Sequence, residues 1–251
     1  LCPLGDNGEP VPAETCAPGE YEGAPVQVSA EVKSIIAPAG VQARDLEQKP
    51  LGVELTGEVK ASYGEESALG NLFTDLMLLS VSGADVAMTN GGGLRADLPP
   101  GPLTYGSLYR AMPFDNRFAV VTLNGKHVRK MISNNLYGGG AFNSWGGLSV
   151  KATCKGGQLQ LVMKDRAGKV IEDEQTLTLL TSDFLASGGS IGRLQLPDGS
   201  IEMTDVLIRD AMAEALTRLG ARGGKLSPST YHDPAKPRLD FPKPRPVKCG
   251  P

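Results

Sequence analysis

Two phenylalanines and one glycine-rich turn carry most of the chemistry this sequence offers. Phe114 follows Pro113 and precedes Asp115-Asn116, and Phe184 sits in Ser182-Asp183-Phe184-Leu185-Ala186-Ser187-Gly188-Gly189. The chain has only 6 Phe and 1 Trp, so two Phe at element junctions beside turn residues suit a clamp on a flat ring. Stacking of that kind contributes about 1–3 kcal/mol per ring; ordinary core packing, which claims most Phe residues, is the alternative. The third feature is Asn90-Gly91-Gly92-Gly93-Leu94-Arg95, which follows the apolar run from Asp85 to Thr89. Its glycines let a backbone approach a ligand closely, and the guanidinium of Arg95 presents fixed donors to a phosphate or carboxylate. A tight turn with a solvated Arg explains the same six residues.

Other chemistries find less support. A dinuclear hydrolytic centre needs a cluster of His, Asp and Asn ligands, and the 2 histidines, His127 and His232, have no partners at ligand spacing. His127 reads as a surface residue of a helix, beside Lys126 and Arg129. No Gly-x-Ser-x-Gly elbow is present; Ala186-Ser187-Gly188-Gly189 does not supply one.

The elements that must position these residues interleave irregularly. Residues 50–59 alternate as a strand with one wet face, and Leu69, Leu72, Phe73, Leu76 and Leu79 form one stripe of a helix over 66–79. Leu103 to Met112 reads as a helix ended by Pro113, 118–123 as a strand, and Asn124-Gly125 as a turn into a helix over 127–132. Further strands fall at 148–152, 158–164, 175–181 and 237–241. The spacing of Ile208, Met212, Ala215 and Leu219 predicts a helix over 204–220, capped at Thr204 or Asp205. Strands and helices in this order favour an α+β fold over a doubly wound sheet.

Ahead of this body, 1–25 reads as an irregular lead-in and 26–45 as a connector, leaving 46–251 as the main domain. Val28, Val32, Ile35 and Ile36 recur at helical spacing, with Pro38-Ala39-Gly40 expected to break or cap the helix; Val26, Val28, Ala30 and Val32 also alternate as a strand would.

A balance of 25 basic against 28 acidic residues, net charge -3, creates no strong field for a nucleic acid polymer or an anionic membrane. No apolar run reaches the length of a membrane span. Leu1-Cys2-Pro3 does not open a signal peptide, so an internal or mature fragment is expected. The 4 cysteines lack zinc spacing and allow three connectivities. Disulfides Cys2–Cys16 and Cys154–Cys249 are expected, the first closing the lead-in and the second tying the C-terminal tail to the body; four unpaired thiols are the alternative. Such bonds point to a periplasmic, secreted or cell-surface location.

Taken together, Asn90-Gly91-Gly92-Gly93-Leu94-Arg95, Leu103-Thr104-Tyr105-Gly106-Ser107-Leu108, Met112-Pro113-Phe114-Asp115-Asn116, Leu123-Asn124-Gly125 and Asp183-Phe184-Leu185-Ala186-Ser187-Gly188-Gly189 are similar, in order and spacing, to the C-terminal domain of the 5′-nucleotidase family. Glu66-Ser67-Ala68-Leu69-Gly70-Asn71-Leu72 resembles that domain's first helix, and the similarity runs from about residue 50 to 241. The resemblance implies a four-layer α/β/β/α domain that holds a nucleoside or nucleotide. It also implies a preceding metallophosphoesterase domain that is absent here and carries a divalent metal pair, so no catalytic residue, metal ligand or cofactor site is expected in this chain. Residues 26–45 would be what remains of the connector, and the chain alone would be inactive.

Carried over by position, Phe114 and Phe184 would sandwich the base, Asn116 would bind its edge, and Asn90 and Arg95 would contact ribose and phosphate. Gly147 would give a backbone contact near the ribose. Two positions depart from the pattern: Ser190 stands where an acidic residue usually binds ribose, and Glu65 where an Arg usually helps hold phosphate. These departures leave open a different phosphate ester, or a non-catalytic module that keeps the fold to bind a ligand or a partner protein.

Overall fold

The computed structural model describes residues 19–27, 29–188 and 191–250; the expected Cys2–Cys16 bond, Val28 and Ser190 lie outside them. The chain divides into two compact units, Leu1–Leu46 and Glu47–Pro251.

In the first unit, the lead-in is not wholly irregular. Strands β1 (Glu20–Tyr21) and β2 (Ala24–Pro25) pair antiparallel, and the two residues between them, Glu22 and Gly23, both have positive φ, which matches the twist of a two-residue hairpin. Helix α1 (Ala30–Glu47) begins behind Ser29, whose Oγ accepts from the Val32 N–H at 3.3 Å. It runs through Pro38, where the sequence predicts a stop. Proline removes one backbone donor, and the alanines on either side, Ala37, Ala39 and Ala43, favour continuing the helix. None of its side chains is buried.

The second unit starts with β3 (Pro50–Leu55), which buries Leu51, Val53 and Leu55 and exposes the residues between. Helix α2 (Ala68–Ser80) is capped by Ser67, whose Oγ accepts from the Gly70 N–H, and it buries Leu69, Leu72, Phe73 and Leu76 of the expected stripe, while Leu79, in its last turn, is exposed. Strand β4 (Val86–Asn90) follows. The helix predicted over 103–112 is split. Leu103 belongs to β5 (Gly101–Thr104), and α3 (Tyr105–Ala111) starts only after Thr104, whose Oγ1 accepts from the Ser107 N–H.

Next come β6 (Arg117–Asn124), α4 (Gly125–Tyr137), β7 (Asn143–Gly146), β8 (Leu148–Lys155), β9 (Gln158–Asp165), β10 (Thr176–Ser182) and the short α5 (Asp183–Ser187). Residues 201–207 form β11 (Ile201–Leu207), so α6 (Ile208–Gly220) starts four residues later than its periodicity predicts. The reason is non-local: β11 pairs with β6, with a register shift between Met203 and Leu207. The chain ends with β12 (Lys225–Leu226), α7 (Pro228–Tyr231) and β13 (Leu239–Asp240).

A five-stranded sheet in the order β11-β6-β10-β4-β7 is central, flanked by the sheets β12-β3-β5 and β13-β8-β9. Strands β10 and β4 run parallel, while β6, β11 and β7 are antiparallel to their neighbours. Both faces are covered. Leu180 joins a core with Phe73, Leu76, Met212 and Leu216 from α2 and α6; Leu179, the next residue on β10, faces a second core with Ile132, Trp145 and Met163. This mixed α/β arrangement is the fold class expected. The Cys154–Cys249 disulfide is present as expected, with Cα atoms 5.3 Å apart.

Candidate functional site

Where β4 and β10 leave the central sheet, the chain turns outward on both strands, and a cavity of about 330 Å³ opens there. That volume is in the range of small-molecule pockets. Its floor is apolar and set by the elements just described: Met77 from α2, Met88 from β4, Met112 after α3 and Ile208 at the start of α6. The hydroxyl of Thr181 donates to the Met88 carbonyl at 3.0 Å and joins the two parallel strands beneath it.

Four of the residues singled out from the sequence, Asn90, Phe114, Asn116 and Phe184, line this one cavity. Phe184 lies on α5, capped by Ser182, whose Oγ accepts from the Leu185 N–H at 3.2 Å. Leu185 and Ala186 face inward, which turns Phe184 out; Phe184 is 66% exposed, and Phe114 39%. Both rings thus leave apolar surface at the mouth of the cavity free to contact a ligand.

Asn90 ends β4 and leads into a single 3-10 turn, Gly91–Gly93. The turn needs its glycines for close approach. A Cβ on Gly91 would meet the carbonyl oxygens of Ser62 and Tyr63 at 2.5 and 2.6 Å, while Cβ atoms on Gly92 and Gly93 would press on the Asn90 amide at 3.3 Å. The Gly91 N–H donates to the Phe142 carbonyl at 2.8 Å. The glycines therefore seat the turn on the segment from Ser62 to Tyr63 and leave the Asn90 amide room at the cavity wall.

Arg95 and Gly147 are placed differently. Arg95 is exposed beside this wall rather than in the lining, with Nη1 3.4 Å from the Gly92 carbonyl. Gly147 borders a separate depression with Asp85, Asp165 and Arg166 and is no part of the cavity. Its φ of +83° and the Asp85 carbonyl, which a Cβ would meet at 2.2 Å, make it a requirement of the turn between β7 and β8.

The carboxylates before α2 also separate. Glu65 is exposed at a third depression, beside Arg245 and Lys243. Glu66 holds the tail: Oε1 accepts from Asn71 Nδ2 at 2.8 Å and from the Arg238 N–H at 3.0 Å, and Oε2 from the Leu239 N–H at 3.0 Å. Among the described residues no charged side chain lines the cavity, so its chemistry is apolar contact, ring stacking and amide hydrogen bonding. Among the described residues no group of three or more His, Cys, Asp or Glu could hold a metal ion. This donor set does not suit a metal pair.

Sequence reasoning missed Arg209, a residue only 5% exposed whose guanidinium sits behind Phe114. On the pattern it was one more polar position of the helix expected over 204–220, and no local signal marked it.

Residues 46–194 match the family model described as "5'-nucleotidase, C-terminal domain". The chain is 34% identical over 150 residues to the trifunctional nucleotide phosphoesterase protein YfkN of Bacillus subtilis, covering 55% of this chain and 10% of that protein. Among solved structures, the 5′-nucleotidase precursor of Thermus thermophilus aligns with a TM-score of 0.67 at 24% identity over 88% of this chain and 44% of its own. The NAD nucleotidase of Haemophilus influenzae aligns with a TM-score of 0.63 at 20% identity, covering 85% and 41%. The chain thus spans about a tenth of that curated relative and under half of those solved chains.

Proposed function

Because the chain belongs to the 5′-nucleotidase C-terminal domain family, we propose that its cavity holds the base and ribose of a nucleotide for a longer, metal-dependent phosphoesterase. The observation that carries this reading is the convergence of two exposed rings, Phe114 and Phe184, on one apolar cavity with the amides of Asn90 and Asn116. The rings grip a flat heterocycle by stacking, and Asn116 reads its edge. Asn90 takes the ribose side, and the exposed Arg95 reaches toward a phosphate outside the cavity.

In this reading the chain binds and orients substrate, which by itself removes a large entropic part of a bimolecular barrier. The divalent metal pair and the nucleophile belong to another part of the full-length protein. On its own the chain turns over no p-nitrophenyl phosphate or AMP with added divalent metal. The Cys154–Cys249 bond supports export to an oxidising compartment. No helix among the described residues is long and apolar enough to cross a membrane.

Calorimetric titration with adenosine and AMP tests the reading. Saturable binding is expected, weakened about tenfold or more by Phe184→Ala. Absence of binding to either compound by a folded chain would favour the other reading, a ligand- or protein-binding module that kept the fold.

A further inference from the structure

The stretch from Met112 to Asn116 carries Met112 of the cavity floor and both Phe114 and Asn116 of its wall, and has no regular secondary structure of its own. A free loop of this kind would let Phe114 move among rotamers, and a stacking ring that moves loses affinity in proportion to the order it must regain on binding. The start of α6 supplies what the loop lacks. Arg209 Nη1 donates to the carbonyls of Met112 at 3.2 Å and of Phe114 at 3.0 Å, and Nη2 donates to Asp115 Oδ1 at 2.7 Å. One residue earlier, the Ile208 N–H donates to the Asn116 carbonyl at 3.0 Å.

The guanidinium is itself fixed from behind. Its Nε donates to the Tyr105 hydroxyl at 3.1 Å, and that hydroxyl donates to Asp210 Oδ1 at 2.6 Å. The Tyr109 ring centroid lies 4.6 Å from Cζ. Burial alone would lower the Arg209 pKa, but the bonds to Tyr105 and Asp115 outweigh it and the cation is favoured. A charge this buried is costly unless every donor is used. Here Nη1 is spent on two backbone carbonyls of the loop, Nη2 on the Asp115 carboxylate and Nε on the Tyr105 hydroxyl.

We propose that Arg209 is the positioning residue for the Phe114 side of the cavity: its planar fork, clamped between α3 and α6, sets where the Phe114 ring stands. The assignment rests on the ring-binding reading of the cavity. Lysine keeps the charge but not the fork, so Arg209→Lys isolates the geometry from the charge.

The test is a double-mutant cycle read by adenosine affinity. Arg209→Lys alone weakens adenosine about tenfold. In a Phe114→Leu background, where there is no ring left to position, the same change costs less than about twofold. A merely structural role would instead weaken binding equally in both backgrounds. A ligand-free readout stands beside it: with 4-fluorophenylalanine at position 114, one narrow fluorine resonance in the parent broadens or splits in Arg209→Lys. Should Arg209→Lys not fold, Asp115→Ala removes one anchor at the surface and shows the same pattern with a smaller loss, about threefold.

Unchanged adenosine affinity in Arg209→Lys, or equal losses in both backgrounds, overturns the positioning role and leaves the ring-binding reading intact. A parent chain that binds neither adenosine nor AMP removes both.

Discussion

Arg238 grips Asp75 with both ends of its guanidinium, Nη1 to Oδ1 at 2.9 Å and Nη2 to Oδ2 at 2.6 Å. The same Nη1 also donates to the Trp145 carbonyl at 3.2 Å, so one side chain joins the tail to α2 and to the edge strand β7. Only 22% of the Arg238 side chain and 32% of the Asp75 side chain reach solvent. Bidentate, partly buried pairs leave a stranded charge when one partner is cut. Asp75→Ala is therefore expected to cost about 1–3 kcal/mol, measured as a lower urea midpoint with an unchanged slope; a loss under about 0.5 kcal/mol would place this pair with ordinary surface ion pairs.

Replacing Cys154 and Cys249 together by Ser opens a loop whose ends are 95 residues apart in sequence. Cross-links of this span typically contribute about 2–4 kcal/mol through the unfolded chain. A clear fall in the melting temperature should follow, with adenosine affinity unchanged, because neither cysteine lines the cavity. Loss of affinity in a variant that is still folded at the assay temperature would contradict this separation.

Gly91 and Gly140 make a matched pair for testing close approach. Alanine at 91 would push against backbone carbonyls that cannot swing aside, whereas alanine at 140 meets nothing within 4 Å. Gly91→Ala should lose about 2–4 kcal/mol of stability, Gly140→Ala within about 0.5 kcal/mol. Comparable losses from the two would mean that the turn does not depend on contact with Ser62 and Tyr63.

His127 predicts a pH dependence of stability. Its Nδ1 accepts from the Asn124 N–H, and Asn124 Oδ1 accepts from the His127 N–H, both at 3.4 Å, a reciprocal cap on α4. Burial, then the neighbouring charges of Lys126 and Lys130, hold the imidazole below its ordinary range. The folded state resists the proton, so between the two pKa values the unfolded chain binds more protons and stability rises with pH. The contribution is complete above about pH 6.5 and is lost as the pH falls through the lower folded value. His127→Gln should show a smaller drop in the denaturation midpoint between pH 7 and pH 5 than the parent; equal drops would remove His127 as the cause.

Local motifs made much of the site legible before any coordinates. Asn90, Phe114, Asn116 and Phe184 each sit where a strand or helix ends, and such junctions are written in adjacent residues: glycines after β4, a proline before Phe114, a Ser cap before Phe184. Other features depended on contacts far along the chain. Thr204 to Leu207 look helical because they continue the pattern of α6, and only pairing with β6 makes them a strand. Gly147 looked like a ligand contact, yet its conformation answers to Asp85. Arg209 was invisible for the same reason, since its partners lie from 94 to 104 residues away.

The tail gives the domain a schedule. A nascent chain that has been made through residue 237 still lacks β13 on β8, the Arg238 grip on α2, the Arg245 bonds to the carbonyls of Gly64, Gly138 and Gly140, and the sulfur that reaches Cys154. Every one of these closes onto segments synthesised long before. Final assembly therefore waits until the ribosome has delivered residues 238–249.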